Sequence, residues 1–323
     1  MTRRRKLVLG PLMLFALLAL RWTFCGTLPE GAPHARVAPL LDTLPPLELC
    51  WAEFGRDTAP GFVLTTGWSR TMIAQVTVSG LVIKHPSGTW MIDSGDSSQM
   101  AAEIAELSGA FDRWYMRQLP GSMPIIATAP VALRLIGVDP ASMSGVLLSH
   151  AHVDHAGGMV DLPGVPALLS AEELAFVEAT PTRGGFQIPA HARTLAGRMK
   201  PIEFKSVPYE VFDRSADLFG DGSVVVVPLP GHTPGSVGVF VNVSASLRIL
   251  HIGDTTMVKE GFERPAAKGF LVSLLDNDRA GANELLQLLK QLHDQVPELV
   301  IMPAHDRKVW EQVFGEKRCR LAR

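Results

Sequence analysis

The sequence contains few cysteines, no long basic run and almost no tyrosine, and these scarcities limit what the protein can be. Three cysteines in 323 residues, with no CxxC pair, exclude a disulfide-rich scaffold and a cysteine-rich structural zinc site. A disulfide between Cys50 and Cys319 is possible, but the spacing alone does not show whether the two thiols meet. A formal net charge of −2 without a basic run predicts that nucleic acid is not a partner.

The N-terminal apolar run is shorter than an ordinary membrane span. Four cations, Arg3 to Lys6, precede the fourteen apolar or small residues of Leu7 to Leu20, whereas a full span usually needs about 18 or more. This pattern is typical of a secretory signal peptide. Phe24 before Cys25 fits a lipoprotein cleavage site poorly, and no A-x-A-like site follows. Residues 1–26 are therefore interpreted as a signal peptide or an uncleaved N-terminal membrane anchor, and the domain is expected to be exported, in the periplasm or otherwise outside the cytoplasm.

Two further segments follow the N-terminal one. Residues 27–60 begin Pro-rich and aperiodic, and are interpreted as a linker or a strap across the domain surface. Residues 61–323 are interpreted as one catalytic domain. β-rich runs and helical patterns occur in both of its halves, which predicts an α/β or α+β fold with helices covering sheets. One predicted helix starts with a capping-box pattern, Ser170 followed by Glu173.

The stretch LLSHAHVDHAGG, residues 147–158, concentrates metal-binding side chains. His150 and His152 are two apart, so they project to the same side of an extended segment that follows an apolar strand. Asp154 and His155 face a second position once the chain turns. Imidazole and carboxylate ligands suit zinc, although Mn, Fe or Co would also accept them. Two ions use four such groups more easily than one ion does.

Three more candidate ligands follow apolar strands by a few residues. They are His232 in LPGHTPGS, Asp254 in LHIGDTT and His305 in VIMPAHD. All three are expected to emerge at the same sheet edge as the histidine cluster. His251, by contrast, lies within a strand and is interpreted as a packed core histidine. The alternative for the whole set is a polar loop without a metal, which would bury many ionisable groups at high cost.

This ordered set, with the early MIDSG stretch, resembles the metallo-β-lactamase superfamily. The resemblance runs from about Thr71 to Trp310 and implies an αββα sandwich with a dinuclear zinc site at one edge. It assigns Asp93 to structural support near that site, and Asp154 is expected to be essential for turnover. The implied ligands are His150, His152 and His232 for one zinc, Asp154, His155 and His305 for the other, and Asp254 as the bridge.

The resemblance also implies a function. A metal-bridging hydroxide would cleave an ester-type acyl bond of a small-molecule substrate, with a lactone such as an N-acyl homoserine lactone as the first candidate. A glyoxalase II-like thioesterase is the alternative, with Arg198 and Lys200 as candidate glutathione contacts. A β-lactamase and a non-catalytic metal-binding protein are further alternatives. Lactonases of the family place a tyrosine three residues after the bridging aspartate; this chain has Met257 there, which predicts an apolar pocket wall. Residues 180–201 are expected to form a substrate loop.

Overall fold

A computed structural model describes residues 26–41, 43–67, 73–118, 123–179 and 188–321. The expected targeting segment lies outside these residues, except for Gly26, and so do residues 180–187 of the expected substrate loop. Within the described residues, none of the helices has the length and hydrophobicity needed to cross a membrane.

Twelve strands and eleven α-helices are described. The strands are β1 (Glu48–Pro60), β2 (Ile73–His85), β3 (Gly88–Ile92), β4 (Met143–Leu147), β5 (Ala167–Ser170), β6 (Met199–Ile202), β7 (Ala216–Asp217), β8 (Val224–Pro228), β9 (Val237–Ser244), β10 (Leu247–His251), β11 (Leu299–Met302) and β12 (Cys319–Leu321). The helices are α1 (Gly61–Leu64), α2 (Met100–Ala105), α3 (Ala110–Gln118), α4 (Ala129–Leu135), α5 (Val153–Ala156), α6 (Ala171–Ala179), α7 (Pro189–Leu195), α8 (Glu260–Glu263), α9 (Phe270–Ser273), α10 (Arg279–Gln295) and α11 (Arg307–Phe314).

The strands form two sheets that pack face to face. The larger has the order β12-β1-β2-β3-β4-β5-β6, and the smaller has the order β11-β10-β9-β8-β7. Between them lies an apolar core that includes Trp51 and Leu81 from the larger sheet and Val239 and Ile249 from the smaller. Helices α4 and α6 pack on the outer face of the larger sheet, and α10 packs on the outer face of the smaller. The predicted αββα sandwich is confirmed.

Strand β8 shows why a continuous apolar run suits this architecture. Val224 and Val226 point into the core between the sheets, whereas Val225 and Val227 pack with the helix layer on the outside. Both faces of the strand are covered, so no position is left for a polar side chain. The strand then ends at Pro228, four residues before a candidate ligand.

The expected end of the linker at residue 60 is wrong. Residues 48–60 form β1, which pairs antiparallel with β2 and with β12 in the larger sheet. Trp51 and Phe54 of this strand are buried. Arg56 and Asp57, near the end of the strand, interrupt the alternation of apolar and polar residues by which a strand is predicted from sequence. Both are exposed, because they lie beyond the buried part of β1.

Residues 26–41 run across the surface of the domain, as expected for a strap. The Leu28 amide donates to the Pro265 carbonyl at 2.6 Å, and the Gln291 side chain on α10 donates to the Ala32 carbonyl at 2.7 Å. Val37 exchanges two backbone hydrogen bonds with Glu210. These contacts tie the strap to the helix layer that covers the smaller sheet.

Cys50 and Cys319 form a disulfide between β1 and β12. The two residues are direct partners in the strand register. The bridge therefore joins the first strand to the last, across a sequence separation of 269 residues. This settles the pairing that spacing alone left open.

Candidate metal centre

Four chain segments deliver polar side chains to one edge of the sandwich. His150 and His152 follow β4, His232 follows β8, Asp254 follows β10 and His305 follows β11. Each lies a few residues beyond its strand, where the sheet stops and the backbone turns. Asp154 and His155 lie on α5, the single turn of helix that continues the first segment. The structure thus brings all seven predicted ligands together.

Two of these turns depend on glycine. Gly231 has φ +144, and a Cβ there would lie 2.7 Å from the backbone nitrogen of Ala282 in the first turn of α10. Gly253 has φ +49, and a Cβ there would lie 2.9 Å from the Ser149 hydroxyl. Only glycine tolerates both the left-handed backbone and the close approach. The residues after these glycines, His232 and Asp254, reach the site for that reason.

The side chains separate into two groups of three with one carboxylate between them. We call His150, His152 and His232 the imidazole triplet; one potential ligand atom from each lies within 4.8 Å of the others. Asp154, His155 and His305 meet the same criterion, and we call them the mixed triplet.

Asp254 links the two triplets. Its Oδ1 lies 3.2 Å from His155 Nε2 and 3.0 Å from His305 Nε2, and its Oδ2 lies 3.6 Å from His232 Nε2. One oxygen therefore faces the mixed triplet while the other faces the imidazole triplet, which is the placement that a carboxylate shared by two ions requires.

The donor atoms fit a cation. His150 Nε2 is buried and has no hydrogen-bond partner within the described part of the chain. Buried polar atoms are nearly always paired, so an orphaned nitrogen in a cluster of this kind marks a position for an ion. Six of the seven side chains carry less than a tenth of their possible exposed surface, and Asp154 is half-buried. Nitrogen and carboxylate donors without thiolate suit zinc and similar divalent ions.

The histidines of the mixed triplet are held from behind. Asp93 Oδ2 lies 2.8 Å from His155 Nδ1, and the same carboxylate accepts hydrogen bonds from the amide and hydroxyl of Ser149. Asp93 has φ +60, an unusual conformation for a residue other than glycine. The Thr77 carbonyl lies 2.8 Å from His305 Nδ1. These partners fix the tautomer in which Nε2 faces the centre.

The imidazole triplet has a support that the sequence did not reveal. Asp276 Oδ1 lies 2.8 Å from His232 Nδ1, and Lys268 Nζ lies 2.5 Å from that oxygen and 3.1 Å from the same imidazole nitrogen. Lys268 is buried, with 3% of its surface exposed. No local pattern marks either residue, because each meets a partner from a distant segment.

Electrostatics separate the two triplets. Burial, together with the neighbouring histidines, lowers the pKa values of His150 and His152 well below the ordinary value. Burial and the charge of Lys268 lower the pKa of His232. The imidazole triplet is therefore neutral at pH 7, which is the protonation state that binds a metal ion.

The mixed triplet has the opposite tendency. Burial alone would lower the pKa of His305, but the charges of Asp254 and Asp154 raise it to about 9. The pKa of His155 is likewise raised well above its usual value by Asp254 and Asp154, against the effect of burial. Burial would raise the pKa of Asp254, but His305 and His155 hold it well below its usual range. Without a metal ion these histidines hold protons beside ionised carboxylates.

A cavity of about 330 Å³ opens onto the ligands. Its lining includes His152, Asp154, Asp254 and His305. Most of the remaining wall is apolar. It comes from the ends of β1 and β2, from α1, from the segment around α9 and from two methionines in connecting segments: Ala59, Pro60, Val63, Leu64, Val76, Leu271, Val272, Leu275, Met123 and Met257. The cavity can hold an apolar group beside the metal-binding edge.

Two expectations about individual segments can be compared with this cavity. Met257 forms part of its wall, as predicted. The described part of the expected substrate loop, residues 188–201, contributes no side chain to it. His251 is fully buried, its ring centroid lies 6.0 Å from that of Trp310, and burial lowers its pKa to about 4. It is a core residue behind the site.

Comparisons with known proteins agree with this geometry. The model of the metallo-beta-lactamase superfamily matches residues 74–305. The N-acyl homoserine lactonase AttM of Azorhizobium caulinodans is 26% identical over 241 residues, which are 73% of this chain and 84% of the relative. The probable metallo-hydrolase Rv2300c of Mycobacterium tuberculosis is 26% identical over 249 residues, 72% of this chain and 75% of that one.

Solved structures show the same fold. An N-acyl homoserine lactone hydrolase with the product N-hexanoyl-L-homoserine bound at its catalytic metal centre superposes with a TM-score of 0.60 and 18% identity. The match covers 82% of this chain and 95% of that chain. At this identity the likeness concerns the fold.

Proposed function

Because this chain belongs to the metallo-beta-lactamase superfamily, we propose that it is a dinuclear zinc hydrolase that opens lactones with an apolar acyl group. The chain is a metal-dependent hydrolase of this superfamily. The observation that carries the finer proposal is the apolar cavity that ends on His152, Asp154, Asp254 and His305. A substrate in that cavity would place its apolar acyl group against Val63, Leu271 and neighbouring side chains. Its carbonyl would then lie against the metal-binding edge. The similarity to AttM supports the same substrate class.

The chain contributes position, charge and exclusion of water. His150, His152 and His232 would hold one ion, the mixed triplet the other, and Asp254 would contact both. Two such ions would supply an acidified water near neutral pH and polarise the carbonyl under attack. Asp93, Asp276 and the Thr77 carbonyl keep the imidazole rings oriented. The apolar wall excludes solvent from the acyl side, which strengthens the electrostatic interactions at the reacting carbonyl.

The contacts of Arg198 weaken the alternative of a glutathione thioesterase. Arg198 was a candidate for binding the carboxylates of glutathione, but its guanidinium donates to the backbone carbonyls of Met159, Leu162 and Val165. It fastens the loop between α5 and β5. A cation with its donors committed in this way is a poor ligand for an exchangeable anion.

The test is a substrate panel on the zinc-loaded chain. It comprises acyl homoserine lactones of increasing acyl length, glutathione thioesters, β-lactams and phosphodiesters. We expect kcat/KM to be highest for lactones and to rise with acyl length while the chain still fits the cavity. At least tenfold higher efficiency on glutathione thioesters, about 1.4 kcal/mol of transition-state preference, would establish the alternative. Preference for phosphodiesters would exclude acyl hydrolysis.

We also propose that the domain functions outside the cytoplasm. The cations and apolar run of residues 3–20 support export, and so does the bridge between Cys50 and Cys319, since disulfides persist mainly in oxidising compartments. A reporter that is active only in the cytoplasm, fused after residue 60, should give no signal. A strong signal would show that the N-terminal segment does not direct export.

A further inference from the structure

Glu173 stands out as a buried acid whose carboxylate is shared between two loops of the metal centre. It lies on α6 with 1% of its surface exposed. The capping-box pattern predicts that its carboxylate turns back to cap its own helix. The Ser170 half of that motif is present, because Ser170 Oγ accepts a hydrogen bond from the Glu173 amide at 3.0 Å. The Glu173 carboxylate itself is used elsewhere.

One carboxylate oxygen holds the loop after β4. Glu173 Oε1 accepts a hydrogen bond from the Ala151 amide at 2.9 Å. Ala151 lies between His150 and His152, so this bond fixes the backbone from which two members of the imidazole triplet project.

The other oxygen holds the loop after β8. Glu173 Oε2 accepts from the Thr233 hydroxyl at 2.6 Å and from the Gly235 amide at 3.1 Å. Thr233 directly follows His232, the third member of the triplet. Ser170 Oγ donates to the Gly235 carbonyl at 2.7 Å, and a Cβ on Gly235 would lie 2.0 Å from the Glu173 nitrogen. The loop is pressed against the start of α6.

We propose that Glu173 is a positioning residue that fastens the two loops of the imidazole triplet to each other and sets the spacing of the three nitrogens for an ion. The proposal rests on the dinuclear centre of the proposed function but not on its substrate. Glutamine cannot replace the acid, because three donors converge on it. Whichever way the amide lies, its NH2 group faces at least one donor and a hydrogen bond is lost.

The experiment measures Co²⁺ affinity at each triplet separately, by chelator competition and by the visible absorption of the bound ion. The His305→Ala background leaves the imidazole triplet intact, and the His232→Ala background leaves the mixed triplet intact. In the first background, Glu173→Gln should weaken Co²⁺ binding by about 10- to 100-fold, the usual effect of losing a partner behind a metal ligand. In the second background the change should stay within about threefold, because the contacts of Glu173 lie on the loops of the imidazole triplet.

Matched controls separate positioning from general destabilisation. Glu172→Ala alters the neighbouring residue on the same helix, an exposed partner of Arg214, and should change neither affinity. Thr233→Val should weaken the imidazole triplet because it removes a hydroxyl donor, whereas Thr233→Ser should restore Co²⁺ affinity and the absorption spectrum. If Glu173→Gln weakens both triplets equally, or neither of them, the proposal is wrong. If Glu173→Gln does not fold, the Thr233 pair decides the outcome by the same criterion.

Discussion

The imidazole triplet and the mixed triplet lie side by side at one sheet edge, yet the protein prepares them in different ways. In the imidazole triplet, burial lowers the pKa values of all three histidines, with further effects of neighbouring histidines on His150 and of Lys268 on His232, so these side chains are neutral before an ion arrives. In the mixed triplet, two carboxylates raise the pKa values of His155 and His305, so an ion must displace protons. The imidazole triplet can bind an ion without losing a proton. The mixed triplet attracts the ion more strongly through its carboxylates, but the ion must compete with the protons on its histidines.

The supports differ as well. His232 is oriented by Asp276, which itself pairs with the buried Lys268. His155 is oriented by Asp93, which also accepts hydrogen bonds from the amide and the hydroxyl of Ser149. From this difference we expect two adjacent ions at one edge of the sandwich to have different affinities and different pH dependences, although the side chains that would hold them are of the same kinds.

The largest effect should come from removing a ligand of either triplet. His232→Ala in the imidazole triplet and Asp154→Asn in the mixed triplet should each lower kcat/KM by roughly 10³-fold or more, because both ions are needed to activate water and polarise the carbonyl. Elemental analysis should find about one tightly bound ion per chain in each variant, and circular dichroism should show the fold retained. Full activity of either variant on the best lactone would refute the assigned role.

The next effect concerns pH. His305 keeps its proton up to about pH 9 in the absence of a metal ion, and an ion must displace that proton at lower pH. Co²⁺ affinity of the mixed triplet, measured in His232→Ala, should therefore fall at least about tenfold for each unit as the pH drops from 9 to 7, because His155 also has a raised pKa and must lose its proton as well. The imidazole triplet, measured in His305→Ala, should show a flat profile over this range because its histidines are already neutral. Identical slopes would remove the distinction between the triplets.

A smaller effect is expected from the residues behind the ligands. Asp276→Asn should weaken Co²⁺ binding at the imidazole triplet, and Asp93→Asn should weaken binding at the mixed triplet, each by roughly 10-fold and at most about 100-fold. The two variants are controls for each other, since each replaces the aspartate behind one histidine. A crossed result, with Asp276→Asn affecting mainly the mixed triplet, would contradict the supports described for this centre.

The smallest effect concerns the cavity wall next to the mixed triplet. Met257→Tyr places a hydroxyl in the cavity that ends on Asp154, Asp254 and His305. If one additional hydrogen bond forms to the substrate in the transition state, kcat on lactones should rise about fivefold, the equivalent of roughly 1 kcal/mol. Met257→Phe, which adds the ring without the hydroxyl, is the control. An equal gain in both variants would assign the effect to packing.

The sequence was sufficient for the features that depend on local order along the chain. Polar residues that follow apolar strands identified all seven side chains, because the end of β4 in the larger sheet and the ends of β8, β10 and β11 in the smaller sheet lie at the same edge of the sandwich. The two-layer fold followed from the family resemblance, and the apolar wall at Met257 from a departure from the family pattern.

Features that depend on contacts between residues far apart in the sequence could not be predicted. Asp276 is 44 residues from its histidine, and nothing in LLDND distinguishes it from an ordinary turn residue. Glu173 also fits a helix-capping pattern, and nothing in that pattern indicates that its carboxylate accepts hydrogen bonds from two distant loops. Part of the cavity wall comes from α1 and α9, which are four residues each and give no periodic signal. The prediction of a substrate loop rested instead on the Gly/Pro-rich composition of residues 180–201.

The pairing of β1 with β12 also gives the chain an almost circular connectivity. Because Cys50 and Cys319 are bonded, any single backbone cut between them leaves two pieces that remain one covalent molecule. Release of a fragment requires either a second cut or reduction of the bridge.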